Sequence, residues 1–190
     1  MEEIIKNKKE IIITGNRIKL VSFTDQHLQD PHYLMWLRDY DIVKFINRRE
    51  YLQKISFDDV KEYIKNIRAS KRDIFFAIEI LENNRFIGTF KIADIDIYTK
   101  KAGLGVLIGD KSLWGSGLAS EAISLGIDFC FNIMGLHKIC GGCIEPNTGM
   151  KKIFEKLGFS KEGHFKEHDL FEGRYIDHIH YGLLRKDYHH

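Results

Sequence analysis

The stretch from residue 103 to residue 134 constrains the chain more than any other. A strand-like run, Gly103 to Ile108, ends in a short loop, and Gly115-Ser116-Gly117 then opens a long helical pattern. Glycines at 115 and 117 remove side chains where backbone N–H groups converge. A helix N-terminus adds its unpaired donors and the positive end of its dipole. Such a strand–turn–helix suits a phosphate or pyrophosphate. The same glycines also serve a plain tight turn, which needs positive φ and no ligand. No Gly-x4-Gly-Lys-Ser/Thr string is present, and position 120, where a dinucleotide fingerprint needs its third glycine, is Ser120.

The rest of the chain reads as one domain over residues 1–190, with residues 1–10 as a frayed polar lead-in. Residues 11–23 hold two short β-rich pieces around Gly15-Asn16. Thr24 or Asp25 caps a helix running to about Arg38, and Asp41 to Phe45 makes a second, short one. Ser56, with Asp59 three residues later, opens a third as a capping box; Phe57, Val60, Ile64 and Ile67 then recur at helical spacing. The texture next turns to strands: Ile74 to Leu81, a turn at Asn83-Asn84, Arg85 to Ile97, then Gly103 to Ile108. A helix over Gly117 to Met134, a strand over Lys138 to Ile144, a helix over Thr148 to Leu157 and closing strands around 159–167 and 175–184 complete the order. A meander, one strand–helix–strand crossover and a final hairpin predict an α+β fold around a mixed, mostly antiparallel sheet flanked by helices.

Composition removes several function classes. Lys+Arg is 29 against Asp+Glu 27, a net charge of +2, so bulk charge gives no argument for nucleic acid or an anionic membrane. No apolar run approaches the roughly 20 residues of a membrane-spanning helix. Residues 1–10 carry charges and no signal-like apolar segment. Three cysteines are an odd number, which points away from a disulfide framework and toward a reducing cytoplasm.

Three segments together resemble the GNAT superfamily of acetyl-CoA-dependent N-acetyltransferases: GVLIGDKSLWGSGLASEA, MGLHKICGGCIEPN and MKKIFEKLGFSKEG. The nearest likeness is to the branch with ribosomal-protein N-terminal acetyltransferases and amino-sugar acetyltransferases. Matching positions include Ile87-Gly88-Thr89, Gly105, Trp114-Gly115, Glu121-Ala122, Asn147, Lys156-Leu157-Gly158-Phe159, Glu162-Gly163 and Asp177. The resemblance implies that the strand at 103–108 splays from that at 138–144. It implies a pantetheine arm in the gap, paired with backbone near Leu107 and Ile108, and a pyrophosphate on the amides of Gly115, Ser116, Gly117, Leu118, Ala119 and Ser120. Asn147 would bond the pantetheine arm, beside the helix N-cap role that asparagine fills on its own. The reaction implied is attack by a neutral primary amine on the acetyl-CoA thioester, with an oxyanion donor among the backbone amides near Ile108. No metal is implied.

The chain departs from that family at the side chains that usually exchange protons. The positions expected to carry a carboxylate, a serine and a tyrosine are Gly103, Met150 and Phe154. That leaves Asp94, with Asp96 two residues on, as the candidate base, on the expectation that both face one side of a strand end. On the acceptor side, Trp36, Phe45, Arg48, Arg49 and Tyr51 are candidates, the arginine pair being suited to a phosphate or carboxylate. The acceptor expected is an amino sugar, possibly nucleotide-linked, or a protein N-terminus. The protein is expected to act as a monomer or homodimer without nucleic-acid or membrane partners. A non-catalytic acyl-CoA-binding regulatory domain is the alternative. Cys140 and Cys143 read as core packing rather than half a zinc site. His178 and His180 share one strand face with His164 and His168 nearby, and read as surface histidines.

Overall fold

Polar caps at Asp30, Asp39, Ser56 and Asn147 set the starts of four helices, and Gly117 at a φ of 86° sets that of a fifth. The computed structural model describes residues 2–8, 10–46 and 54–188. In chain order the elements are α1 (Glu2–Lys6), β1 (Ile12–Thr14), β2 (Ile18–Ser22), α2 (Asp25–Gln29), α3 (Pro31–Arg38), α4 (Tyr40–Val43), α5 (Phe57–Ala69), β3 (Ile74–Ile80), β4 (Phe86–Asp96), β5 (Lys101–Ile108), α6 (Leu118–Asp128), β6 (Lys138–Ile144), α7 (Thr148–Lys156), β7 (Ser160–Phe171) and β8 (Arg174–Leu184). The eight strands form one sheet in the order β1-β2-β3-β4-β5-β6-β8-β7. Every pairing is antiparallel except β5 with β6. The expected α+β architecture is therefore present.

The sheet separates two cores. On one face Leu118, Ala122, Ile123 and Ile127 of α6 and Phe154 of α7 pack with Leu20, Phe76, Phe90 and Ile139. On the other, Tyr33, Trp36, Leu37, Val60 and Ile64 from α3 and α5 pack with Ala77 and Leu107. Close approach on the first face relies on small residues: a Cβ at Gly126 would meet the Phe90 ring at 2.1 Å.

Several expectations change. The helix expected over 24–38 is two helices, because Pro31 cannot donate its N–H and starts a new helix at N1, with Asp30 capping the His32 amide at 2.9 Å. The helix expected to Met134 is α-helical only to Asp128 and continues as a π turn over Phe129–Ile133. Residues 1–10 are not simply frayed. Ile5 of α1 is buried in the core, and Lys8 Nζ donates to the carbonyls of Ile67 and Ser70 at the end of α5 and to that of Asp73. The final hairpin is longer than expected, β7 running on to Phe171. Cys140 and Cys143 point to opposite faces, as odd spacing on a strand requires, with only Cys143 in the core. No helix among the described residues is long and apolar enough to cross a membrane.

Candidate active site

The parallel pair β5·β6 is joined only at Lys101–Lys138, Ala102–Ile139 and Gly103–Cys140. Beyond these positions the strands part, whereas β4 stays in register with β5 through Ile108. The direction of the free backbone groups follows from alternation. Gly109 N–H bonds the Ile87 carbonyl at 2.8 Å, so the amides of Leu107 and Gly105 also face β4. Those of Val106 and Ile108 face the gap. Of the two residues expected at the pairing position, Ile108 turns its amide to the gap, while Leu107 turns its amide to β4 and its side chain into the second core.

The gap leads to the glycine loop. Trp114 Nε1 donates to the Ile108 carbonyl at 2.9 Å and ties the loop to the end of β5. Gly115 and Gly117 take φ of 75° and 86°, which glycine adopts without strain. The first bond of α6 runs from Glu121 N–H to the Gly117 carbonyl, so the amides of Leu118, Ala119 and Ser120 precede the helical ladder. A Cβ on Gly115 would meet nothing within 4 Å, and one on Gly117 only Arg17 at 3.4 Å. The Ser116 amide is taken by the Leu113 carbonyl at 3.3 Å, while those of Leu118, Ala119 and Ser120 stand at the helix start in an arrangement suited to a pyrophosphate.

Glu121 and Arg17 brace this loop. One oxygen of Glu121 accepts the amides of Asn16, Arg17 and Ile18 at 2.9, 2.8 and 3.3 Å; the other accepts Arg17 Nε at 3.0 Å. Burial pushes this carboxyl up, but the Arg17 backbone and side-chain bonds, with those from Ile18 and Asn16, outweigh it and hold the carboxyl below its ordinary range. Arg17 Nη1 also donates to the Ser116 carbonyl at 2.9 Å, which sets a guanidinium beside the loop. Sequence reasoning missed Arg17, since no local pattern joins it to a loop about a hundred residues away.

Asn147 caps α7, its Oδ1 accepting the Met150 amide at 3.1 Å. It follows the end of β6, on the other side of the gap from Ile108. Trp36 packs on the end of β5, where any Cβ on Gly109 would strike its ring at 1.9 Å. Trp36 therefore buttresses the strand, and Arg48, Arg49 and Tyr51 lie outside the described residues. Phe45 stacks on Phe171 at the tip of the β7–β8 hairpin, with centroids 5.9 Å apart, and Tyr40 Oη donates to Glu172 at 3.0 Å. The hairpin thus reaches the helices preceding α5, while the turn at Lys44–Ile46 packs against β6.

Asp94 is not brought to the gap. A bulge between Ala93 and Asp96 gives Asp94 a φ of 53° and breaks the alternation that was to put both carboxylates on one side. The bulge lies level with the closed part of β5, and exposed Asp94 is 3.7 Å from Arg72. Asp96 is occupied by a turn: bonds from the Thr99 side chain and amide, and from the Tyr98 amide, hold its carboxyl below the ordinary range. Among the described residues no three His, Cys, Asp or Glu side chains gather as metal ligands.

Residues 17–160 match the family model described as acetyltransferase (GNAT) domain. An uncharacterized N-acetyltransferase, p20 of Bacillus licheniformis, is 29% identical over 85% of this chain and 90% of its own. The spermidine N(1)-acetyltransferase of Vibrio cholerae is 32% identical over 64% of this chain and 69% of its own. Among solved structures, the Vibrio cholerae spermidine N-acetyltransferase in complex with CoA and spermine superposes with a TM-score of 0.81 at 23% identity, over 92% of this chain and 99% of that one. RimJ of Mycobacterium smegmatis in complex with CoA-disulfide also gives 0.81, at 18% identity over 94% and 90% of the two chains.

Proposed function

From its membership of the GNAT acetyltransferase family, in which it is an N-acetyltransferase, we propose that this protein moves the acetyl group of acetyl-CoA directly onto a primary amine of a small molecule or peptide. The observation that carries the reading is the one-sided opening of β5, which ends at the loop amides. In it the Ile108 amide receives the pantetheine arm, and the amides of Gly115 and of Gly117 to Ser120 receive the pyrophosphate. The thioester supplies an activated acyl group. The protein supplies position and a backbone donor for the oxyanion, for which the Val106 amide is the candidate.

The acceptor enters from the face opposite α6. There Gly103 and Gly105 carry no side chain, and a Cβ on Gly105 would meet nothing within 4 Å. Lys91, the register partner of Gly105, is turned away to Asp73 at 3.0 Å. The result is a hollow in the sheet beside the gap. Amino sugars, nucleotide-linked amino sugars and protein N-termini remain the acceptors proposed from the sequence; spermidine joins them because a relative is named for it. The test is calorimetric titration with acetyl-CoA, then free-thiol release against that panel. Binding with acceptor-dependent release is expected; binding without release on any amine would overturn the transferase reading.

A further inference from the structure

Direct transfer to an amine needs a base, and the positions expected to carry the proton-exchanging carboxylate, serine and tyrosine hold Gly103, Met150 and Phe154. We propose that His178 is that base, with Asp169 as its positioning residue; this rests on the transferase reading above. His178 lies on β8 opposite Ile144, on the stretch of β6 that has left β5. Its neighbours in the strand, Ile179 and Tyr181, pack in the α6 core. His178 therefore faces the acceptor side.

Three features converge on this imidazole. Asp169 Oδ2 lies 2.6 Å from Nδ1. With the carboxylate accepting, the proton stays on Nδ1 and Nε2 keeps its lone pair. Nε2 has no hydrogen-bond partner among the described residues, and it lies 2.7 Å from where a Cβ on Gly142 would stand. It is thus seated over Gly142, in space that any other residue there would take. Gly142 lies two residues beyond the last β5–β6 pair, Gly103–Cys140, as Gly105 does on β5. His178 over Gly142 and the Val106 amide thus stand on the two sides of the gap.

The hairpin is shaped for this pair. Phe165 faces His178 and Asp169 faces Ile176, so four residues of β7 span two of β8. The bulge includes Glu167 at a φ of 49° and brings Asp169 alongside His178. A second pair on the same hairpin, His164 Nε2 with Asp177 Oδ2 at 2.5 Å, belongs to the other face, since His164 pairs with core residue Ile179.

In the step proposed, Nε2 takes one proton from the acceptor ammonium. The freed nitrogen lone pair forms the N–C bond at the thioester carbonyl. The C–S bond then breaks, its electron pair leaves with sulfur, and the thiolate takes the second nitrogen proton as the amide forms. The proton held by His178 passes to solvent. The titratable groups that face His178 are Asp169, His168 and His180 on the hairpin, the two rings with centroids 5.9 and 4.9 Å away.

His178→Asn keeps a donor for Asp169 and deletes the base. With spermidine and with an alanine-initiated peptide as acceptors, kcat is expected to fall by about 10²–10⁴-fold. Calorimetric acetyl-CoA affinity should stay unchanged and the acid limb of the pH–rate profile should disappear. Asp169→Asn should lower kcat less and shift that limb, while His164→Gln leaves rate and profile alone. An unchanged kcat and profile in His178→Asn would overturn the assignment while leaving the transferase reading intact. No thiol release from the unaltered protein would count against the transferase reading instead, and nitrogen-15 NMR of the imidazole then decides. A proton on Nδ1, with resonances that move when acetyl-CoA is added, supports the assignment; a proton on Nε2 overturns it.

Discussion

The two edges of β5 are the same backbone with opposite fates. Toward β4 every rung is closed from Gly103 to Ile108; toward β6 only three residues pair before the strands part. The closed edge is part of the scaffold, and the open edge offers hydrogen bonds to something else. An interior strand with free amides is costly unless a ligand or water takes them. What distinguishes the edges is local: glycines at 103, 105 and 142 thin the sheet beside the gap, whereas Gly88 on the other side is pressed against backbone.

Substitutions along these edges should separate stability from activity. The largest effect is expected on the closed edge. A Cβ on Gly88 would lie 2.1 Å from the Leu107 carbonyl oxygen, so Gly88→Ala should cost about 3 kcal/mol or more by overpacking, read as a lowered denaturant midpoint. Gly117→Asp acts where the open edge ends. It sets a negative charge where the pyrophosphate is proposed to sit, and acetyl-CoA affinity should fall by about 100-fold, near 2.8 kcal/mol. A side chain at a φ of 86° should cost about 1–2 kcal/mol of stability, so affinity is read well below the lowered melting temperature. Unaltered affinity in this variant would remove the loop from the site.

Glu121→Gln should be milder, about 1–2 kcal/mol of stability, since it weakens a charged acceptor of four N–H groups. Its pH dependence has a definite sign. The folded carboxyl is held below the unfolded value near 4.5, so its contribution is complete above that pH and fades as pH falls through the folded value. Native and variant stabilities should converge in acid, which urea titrations between neutral pH and pH 3 would follow. Gly105→Ala should move stability least, within about 1 kcal/mol, because its Cβ has open space. It should nevertheless slow acetyl transfer by narrowing the hollow, which thiol-release assays would show as a lower kcat.

Much of this contrast was legible in the sequence. Gly115 and Gly117 mark the loop because their chemistry is local: positive φ and a helix start lie within a few residues. The Ser56 cap, with its amide bonded to Asp59 at 2.8 Å, and the succession of helices and strands along the chain were legible for the same reason. The amide parity that turns Leu107 to β4 was not, since it depends on which neighbour β5 pairs with. Arg17 and Asp169 also escaped, one reaching a loop far along the chain, the other brought alongside His178 by a bulge that alternation does not announce. Asp94 failed as a candidate for that reason too: a bulge removed the shared face its spacing promised. Contacts set by register and irregular backbone are written in tertiary structure, and single-residue patterns carry little of them.

The most direct test is hydrogen exchange at the amides of β5, residue by residue, with and without saturating coenzyme A. In the free protein, Gly105 and Leu107 should be protected by β4, while Val106 and Ile108 exchange quickly. On adding coenzyme A, Ile108 should become protected, and Gly105 and Leu107 should change little. Unchanged exchange at Ile108 in the coenzyme A complex would contradict the proposal that the open edge of β5 holds the cofactor.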